Sequence, residues 1–268
     1  MNIQCGHEIV FELPATTSML LMLYMHPSRF NSLQKPDVLQ TTPAVPIKTH
    51  IDAYGNRCAI LTAHAGPLRI YSDNIVSDSG LMDIVAPNAV QHSIPELPPE
   101  VVTFLLGSRY CEVERLSDIA YGLFGQTPMG WGRVQSICDW VHTNIKFGYQ
   151  FARPSKTAFD VFTERTGVCR DFMHLAITFC RCMNIPARYA TGYLGDIGIP
   201  FNPAVMDFSA WFEVYLSGQW YTFDARFNTP RIGRVLVARG RDAVDVALTT
   251  SFGRADLKSF KVWSHTVA

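Results

Sequence analysis

The chain has 268 residues, 48% hydrophobic and 17% charged, the balance of a folded globular protein of one or two domains rather than a disordered one. Lysine plus arginine equals aspartate plus glutamate at 23 each, so no electrostatic argument favours nucleic acid or an anionic membrane as partner. Seven irregularly spaced cysteines suit free thiols in a reducing compartment, and with no paired Cys or His at zinc-site spacing neither a metal nor a cofactor is expected.

Residues Met1 to Gly6 lack the basic and apolar regions of a signal peptide, and the apolar run Met19 to Leu23 is too short to span a bilayer. A cytoplasmic location is therefore expected. The first part of the chain reads as strands. Ile9 to Phe11 and Met19 to Met25 are apolar runs separated by a turn-like break at Leu13 to Thr16. Val45 to Asp52 and Arg57 to Ala63 flank Ala53-Tyr54-Gly55-Asn56, where the glycine permits the positive φ of a tight hairpin. Leu68 to Tyr71 adds another strand. Short strands at this spacing predict a small, sandwich-like antiparallel domain over residues 1–94.

Pro95-Glu96-Leu97-Pro98-Pro99 interrupts both helix and sheet and reads as a linker into a second domain, residues 95–268. The apolar spacing then changes to three and four residues, predicting helices over Glu100 to Leu106, Arg115 to Phe124 and Gly130 to Ile145. His142 lies beside the core stripe of the last and reads as a satisfied helix histidine. Thr157 to Arg165 predicts another short helix.

Gly167-Val168-Cys169-Arg170-Asp171-Phe172 opens the next helix, which runs through Leu175, Phe179 and Met183 to a stop at Asn184-Ile185-Pro186. A thiol at a helix start meets unpaired N–H groups and the positive end of the dipole, both of which favour the thiolate nucleophile. A buried structural cysteine is the alternative. Ala187 to Leu194 predicts a strand. Asp207 to Val214 alternates, with Ser209, Trp211 and Glu213 on one face and Phe208, Ala210, Phe212 and Val214 on the other. A turn at Leu216 to Gln219 leads into Trp220 to Ala225, with Asp224 near its end. Ile232 to Ala238 and Phe260 to Trp263 are further strand candidates.

These blocks resemble the transglutaminase-like superfamily, whose core carries a papain-type Cys-His-Asp arrangement. The resemblance runs through Gly167 to Phe172, Asn184 to Tyr189, Gly192-Tyr193, Asp207 to Val214 and Gly218 to Asp224. The preceding β half is similar to the N-terminal domain of stand-alone bacterial members. The implied fold is α+β, a Cys-bearing helix packed on an antiparallel sheet after a small β domain. Cys169 falls at the family nucleophile and Asp224 at its orienting aspartate. Ser209 stands where the family pattern has histidine, and an alcohol cannot serve as a general base near neutral pH.

Three residues are candidates for support. Arg170 is a candidate fixed charge for the thiolate, and Asp207 shares the face of Ser209, where it can hold a water or polarise the hydroxyl, while the acidity of an unperturbed carboxylate makes it a poor base for a thiol. His174 is five residues beyond Cys169, some 140° around the helix, and so points away from the thiol. The resemblance implies a cysteine hydrolase or acyltransferase acting through a Cys169 thioester on a peptide or protein amide. The competing reading is a pseudoenzyme that uses the cleft to bind peptide or protein, and Ser209 supports it.

Overall fold

The computed structural model describes residues 1–201, 203 and 205–267. Six strands come first: β1 (Asn2–Leu13), β2 (Thr17–Leu21), β3 (Gln40–Thr42), β4 (Ile47–Ile51), β5 (Arg57–Ala63) and β6 (Gly66–Ser77). Alternation builds them, since Ile3, Cys5, Ile9, Phe11 and Leu13 of β1 are buried while the residues between are mostly half-exposed. Helices α1 (Pro99–Val102), α2 (Val113–Phe124), α3 (Trp131–Asn144), α4 (Ala158–Glu164) and α5 (Cys169–Cys182) follow. The two-residue strands β7 (Lys146–Phe147) and β8 (Thr166–Gly167) pair in parallel beside the start of α5. The chain ends in β9 (Ala187–Leu194), β10 (Ser209–Leu216), β11 (Gln219–Phe223), β12 (Arg234–Gly240), β13 (Thr249–Ser251) and β14 (Asp256–Val267). The architecture is the α+β one expected, antiparallel sheets followed by a helical core with its own sheet.

That last sheet has the order β11-β10-β9-β12 and carries α5 against it. α5 is buried almost along its length because it lies between the sheet and the flanking helices α2, α3 and α4. The two halves expected on either side of residue 95 differ in secondary structure, yet the chain crosses back between them. β14 pairs with β1 along residues 2–12, giving a sheet ordered β14-β1-β6-β3, and β13 completes the other, β13-β2-β5-β4. The physical reason is edge satisfaction: without these strands β1 and β2 would each expose a row of unpaired backbone groups. Buried residues from both halves, such as Leu21 and Phe179, share one contiguous core.

The stretch leading into the proline-rich segment is not a free tether either, and Leu97 within that segment is buried in one apolar cluster with Tyr215. Asp83 accepts from Arg231 N–H at 2.9 Å and from Arg234 Nε at 2.9 Å, and the Val90 N–H donates to Ser217 Oγ at 2.9 Å. Proline blocks regular structure locally, but it does not stop neighbouring residues from bonding across the sheet.

Arg181, near the end of α5, is 2% exposed. Its guanidinium donates to the carbonyl oxygens of Leu106 (3.0 Å), Ala187 (2.8 Å) and Arg241 (2.5 Å), tying the helix to three chain segments. Arg181→Met should fill the volume but strand those acceptors, at a cost of about 3–5 kcal/mol. Urea unfolding measures it; a loss below about 1 kcal/mol would mean that water replaces the guanidinium.

Candidate active site

Cys169 is the first residue of α5 and the one cysteine of seven that is not buried. The tight entry to the helix explains its position. Val168 N–H donates to Asp171 Oδ2 at 3.0 Å while Asp171 N–H returns to Val168 O at 2.9 Å, closing the first turn. A Cβ on Gly167 would lie 2.6 Å from Asp171 Cβ, so this approach requires glycine. The Arg170 N–H points at the sulfur and favours the thiolate.

Two cavities meet at Cys169, of about 480 Å³ and 250 Å³. Asp207, Phe208 and Ser209 line both and form the ridge between them. The larger is walled by the aliphatic residues Ala243, Val244, Val246, Ala247 and Leu248, opposite Val168 and Tyr189. The smaller is walled by Phe147, Tyr149, Phe227 and Arg226.

Of the sequence candidates, Cys169, Ser209 and Asp207 come together. Ser209 is half-buried at the start of β10, its carbonyl accepting from Thr191 Oγ1 at 3.1 Å. Asp207 stands exposed at the cleft mouth, its Oδ1 accepting from Phe208 N–H at 2.7 Å. The surrounding protein nevertheless pushes its carboxyl above the ordinary aspartate range, opposed by the Phe208 N–H and by Arg226.

Asp224 lies behind this ridge, buried just beyond β11, and lines a separate cavity of about 160 Å³. Its Oδ1 accepts from the N–H groups of Arg226 (3.0 Å) and Phe227 (3.1 Å), and its Oδ2 takes Arg234 Nη2 at 3.2 Å. Asp224 thus shapes the turn that carries Arg226.

Arg170 does not supply the charge considered for it. Its guanidinium is held by Asp171 Oδ1 at 3.0 Å and by Arg153 O at 2.7 Å, beneath the face of Tyr110. The cation that most favours the Cys169 thiolate is Arg226, lying 3.8 Å from the centre of the Phe147 ring. Sequence reasoning missed it, since nothing local to Asp224-Ala225-Arg226 says where that side chain turns. His142, exposed on α3, donates from Nδ1 to the Arg226 carbonyl at 2.8 Å.

His174 is fully buried. Its Nε2 accepts from Ala243 N–H at 3.1 Å and its ring stacks 4.9 Å from Tyr110, bracing the aliphatic wall from below. No imidazole lines either cavity among the described residues.

The helix-end argument alone expects a depressed thiol pKa. Desolvation by the protein surrounding the cleft overrides it and pushes Cys169 up to about 11; Arg226 opposes the rise, and Asp207 and Asp224 add to it. The other thiols are raised as well, Cys5 to about 12 and Cys111 to about 11, and those two are buried out of reach of solvent.

Residues 118–225 match the family model described as the transglutaminase-like superfamily. A solved structure described as a candidate cysteine protease from Cytophaga hutchinsonii is similar over 100% of this chain and 91% of that one, with 30% identity and a TM-score of 0.84. The uncharacterized protein ML0607 of Mycobacterium leprae is 33% identical over 121 residues, 42% of this chain and 42% of that relative's own length. The periplasmic domain of TgpA from Pseudomonas aeruginosa superposes at a TM-score of only 0.41 with 15% identity, over 83% of this chain and 88% of that one, too distant to bear on the site. Among the described residues no helix is long and apolar enough to cross a membrane, and no group of three or more His, Cys, Asp or Glu side chains could hold a metal ion.

Proposed function

The chain belongs to the transglutaminase-like superfamily, and from that premise we propose that it is a cysteine hydrolase or acyltransferase cleaving a peptide or isopeptide amide through a Cys169 thioester. The observation that carries this reading is the placement of the single unburied thiol at a helix start between two cavities. A substrate crossing that junction extends to both sides of the thiol, which suits an internal amide bond better than a chain end. The aliphatic wall suits a branched or short apolar side chain, and the Phe147, Tyr149 and Phe227 rings suit a larger flat group. The similarity to a candidate cysteine protease supports hydrolysis over crosslinking.

Cys169 Sγ attacks the carbonyl carbon, the developing oxyanion faces the positive end of α5, and Arg226 offsets the charge on sulfur. Iodoacetamide at neutral pH should label Cys169 before the other six thiols, because access decides when all are raised. Cys169→Ala should abolish turnover of generic peptide or glutamine-amide substrates. Labelling of Cys169 no faster than Cys5 or Cys111, or turnover surviving in the alanine variant, would sink the reading.

A second reading rests on Ser209 and on the high pKa of Cys169: a binding module that holds a peptide in the same cleft. Peptide binding without any thiol-dependent turnover is its signature.

A further inference from the structure

With serine at position 209, the thiol proton still has to go somewhere before sulfur can attack. Cys169, Asp207 and Arg226 all line the smaller cavity, and Asp207 also accompanies Cys169 into the larger one. Asp207 is thus the carboxylate shared by both sides of the thiol. One of its oxygens is occupied by the Phe208 N–H at 2.7 Å, and Oδ2 has no hydrogen-bond partner among the described residues. The other acidic and cationic groups near the cleft are committed. Arg170 is tied to Asp171 at 3.0 Å, Arg153 to Glu164 at 2.6 Å, and Asp224 to Arg234 at 3.2 Å.

We propose that Asp207 is the catalytic acid–base of this site, taking the proton of Cys169 through Oδ2 in place of the missing imidazole. The proposal rests on the enzymatic reading above. The carboxylate accepts the S–H proton as sulfur bonds to the amide carbon and the carbonyl electron pair moves to oxygen. Collapse of that intermediate breaks the C–N bond, and Asp207 returns the proton to the leaving nitrogen. Solvent water then attacks the thioester and gives a proton to Asp207. As the C–S bond breaks, Asp207 passes that proton to sulfur, so that thiol and carboxylate are both restored. The protein packed around the carboxyl raises its pKa and so strengthens it as a base, while its charge in turn disfavours the nearby thiolate. The groups facing Asp207 are Cys169 on α5, Arg226 from the turn after β11, Tyr149, and Asp196 across the smaller cavity.

This arrangement separates two readouts that a structural role would move together. Asp207→Asn keeps the oxygen that accepts from Phe208 N–H and removes both the base and the negative charge. Turnover should fall about 10²–10⁴-fold. Alkylation of Cys169 by iodoacetamide, which needs only thiolate drawn from solvent equilibrium, should speed up roughly threefold as the thiol pKa drops. The acid limb of the wild-type pH–rate profile should vanish in Asp207→Asn, and Asp207→Glu should recover part of the rate. Unchanged turnover in a folded Asp207→Asn variant would overturn the proposal while leaving the thioester reading intact. A parallel fall in turnover and alkylation would assign Asp207 to cleft structure and overturn it as well. Wild-type protein whose Cys169 alkylates but shows no thiol-dependent turnover would fail the enzymatic reading itself, and this proposal with it.

Discussion

Ser209→His should raise thiol-dependent amide turnover by about tenfold or more, short of the roughly 10²–10⁴-fold full worth of a positioned general base because Asp207 already supplies part of it. The register makes the geometry concrete. Phe212 on β10 lies opposite Phe223 on β11, so Asp224 falls opposite Trp211, and residue 209 is its same-face neighbour two positions along. That diagonal spacing is about 7–8 Å between backbones, within reach of an imidazole and a carboxylate. At the other end, residue 209 already lines both cavities that meet at Cys169. An imidazole titrates near neutrality, so it accepts the thiol proton at lower energetic cost than Asp207 and should move the acid limb of the rate profile up toward about 6.5. The comparison is kcat/KM for wild type and variant on one peptide substrate between acid and neutral pH. A folded variant with no gain would show that Asp224, engaged by Arg234 and by the Arg226 and Phe227 N–H groups, is not free to orient the ring.

The second large effect concerns the first half of the chain. A fragment of residues 1–94 should fail to fold cooperatively. It lacks β14, which covers β1 along residues 2–12, and β13, which covers residues 19–21 of β2. It also lacks an interlock: a Cβ on Gly6 would lie 2.5 Å from the Trp263 ring, whose Nε1 donates to Asp73 at 2.8 Å. Loss of these contacts leaves two long strand edges open, the usual template for aggregation. The measurement is solubility and a urea transition of the fragment, beside a version in which residues 249–267 are joined to it by a flexible linker. Cooperative unfolding of the bare fragment would show that the division near residue 95 separates an independently folding unit.

The elements themselves were legible because their signals are local. Alternation marked Ser209 to Val214, three- and four-residue spacing marked α2 and α3, and Gly167-Val168-Cys169 announced the start of α5. What the sequence by itself determined was therefore the main helices and most of the longer strands, though not the short strands β3, β7, β8 and β13, the α+β class, and a thiol at a helix end followed by a serine where the family pattern has histidine. The spiral of α5 also sufficed to turn His174 from the thiol, since side-chain direction within one helix is fixed by its pitch.

Only the tertiary structure decided the rest, because it depends on what the fold brings from far along the chain. Which cation faces the sulfur is set by the turn that Asp224 caps, so Arg226 takes the part and the neighbouring Arg170 is drawn off to Asp171. The sign of the Cys169 shift was decided the same way. Helix-end N–H groups and dipole pull its pKa down over one turn, whereas desolvation by every element packed around the cleft pushes it up, and the latter is larger. Strand edges follow that rule too: β14 belongs to β1 because backbone pairing is satisfied by whichever strand the whole fold delivers, however distant in sequence.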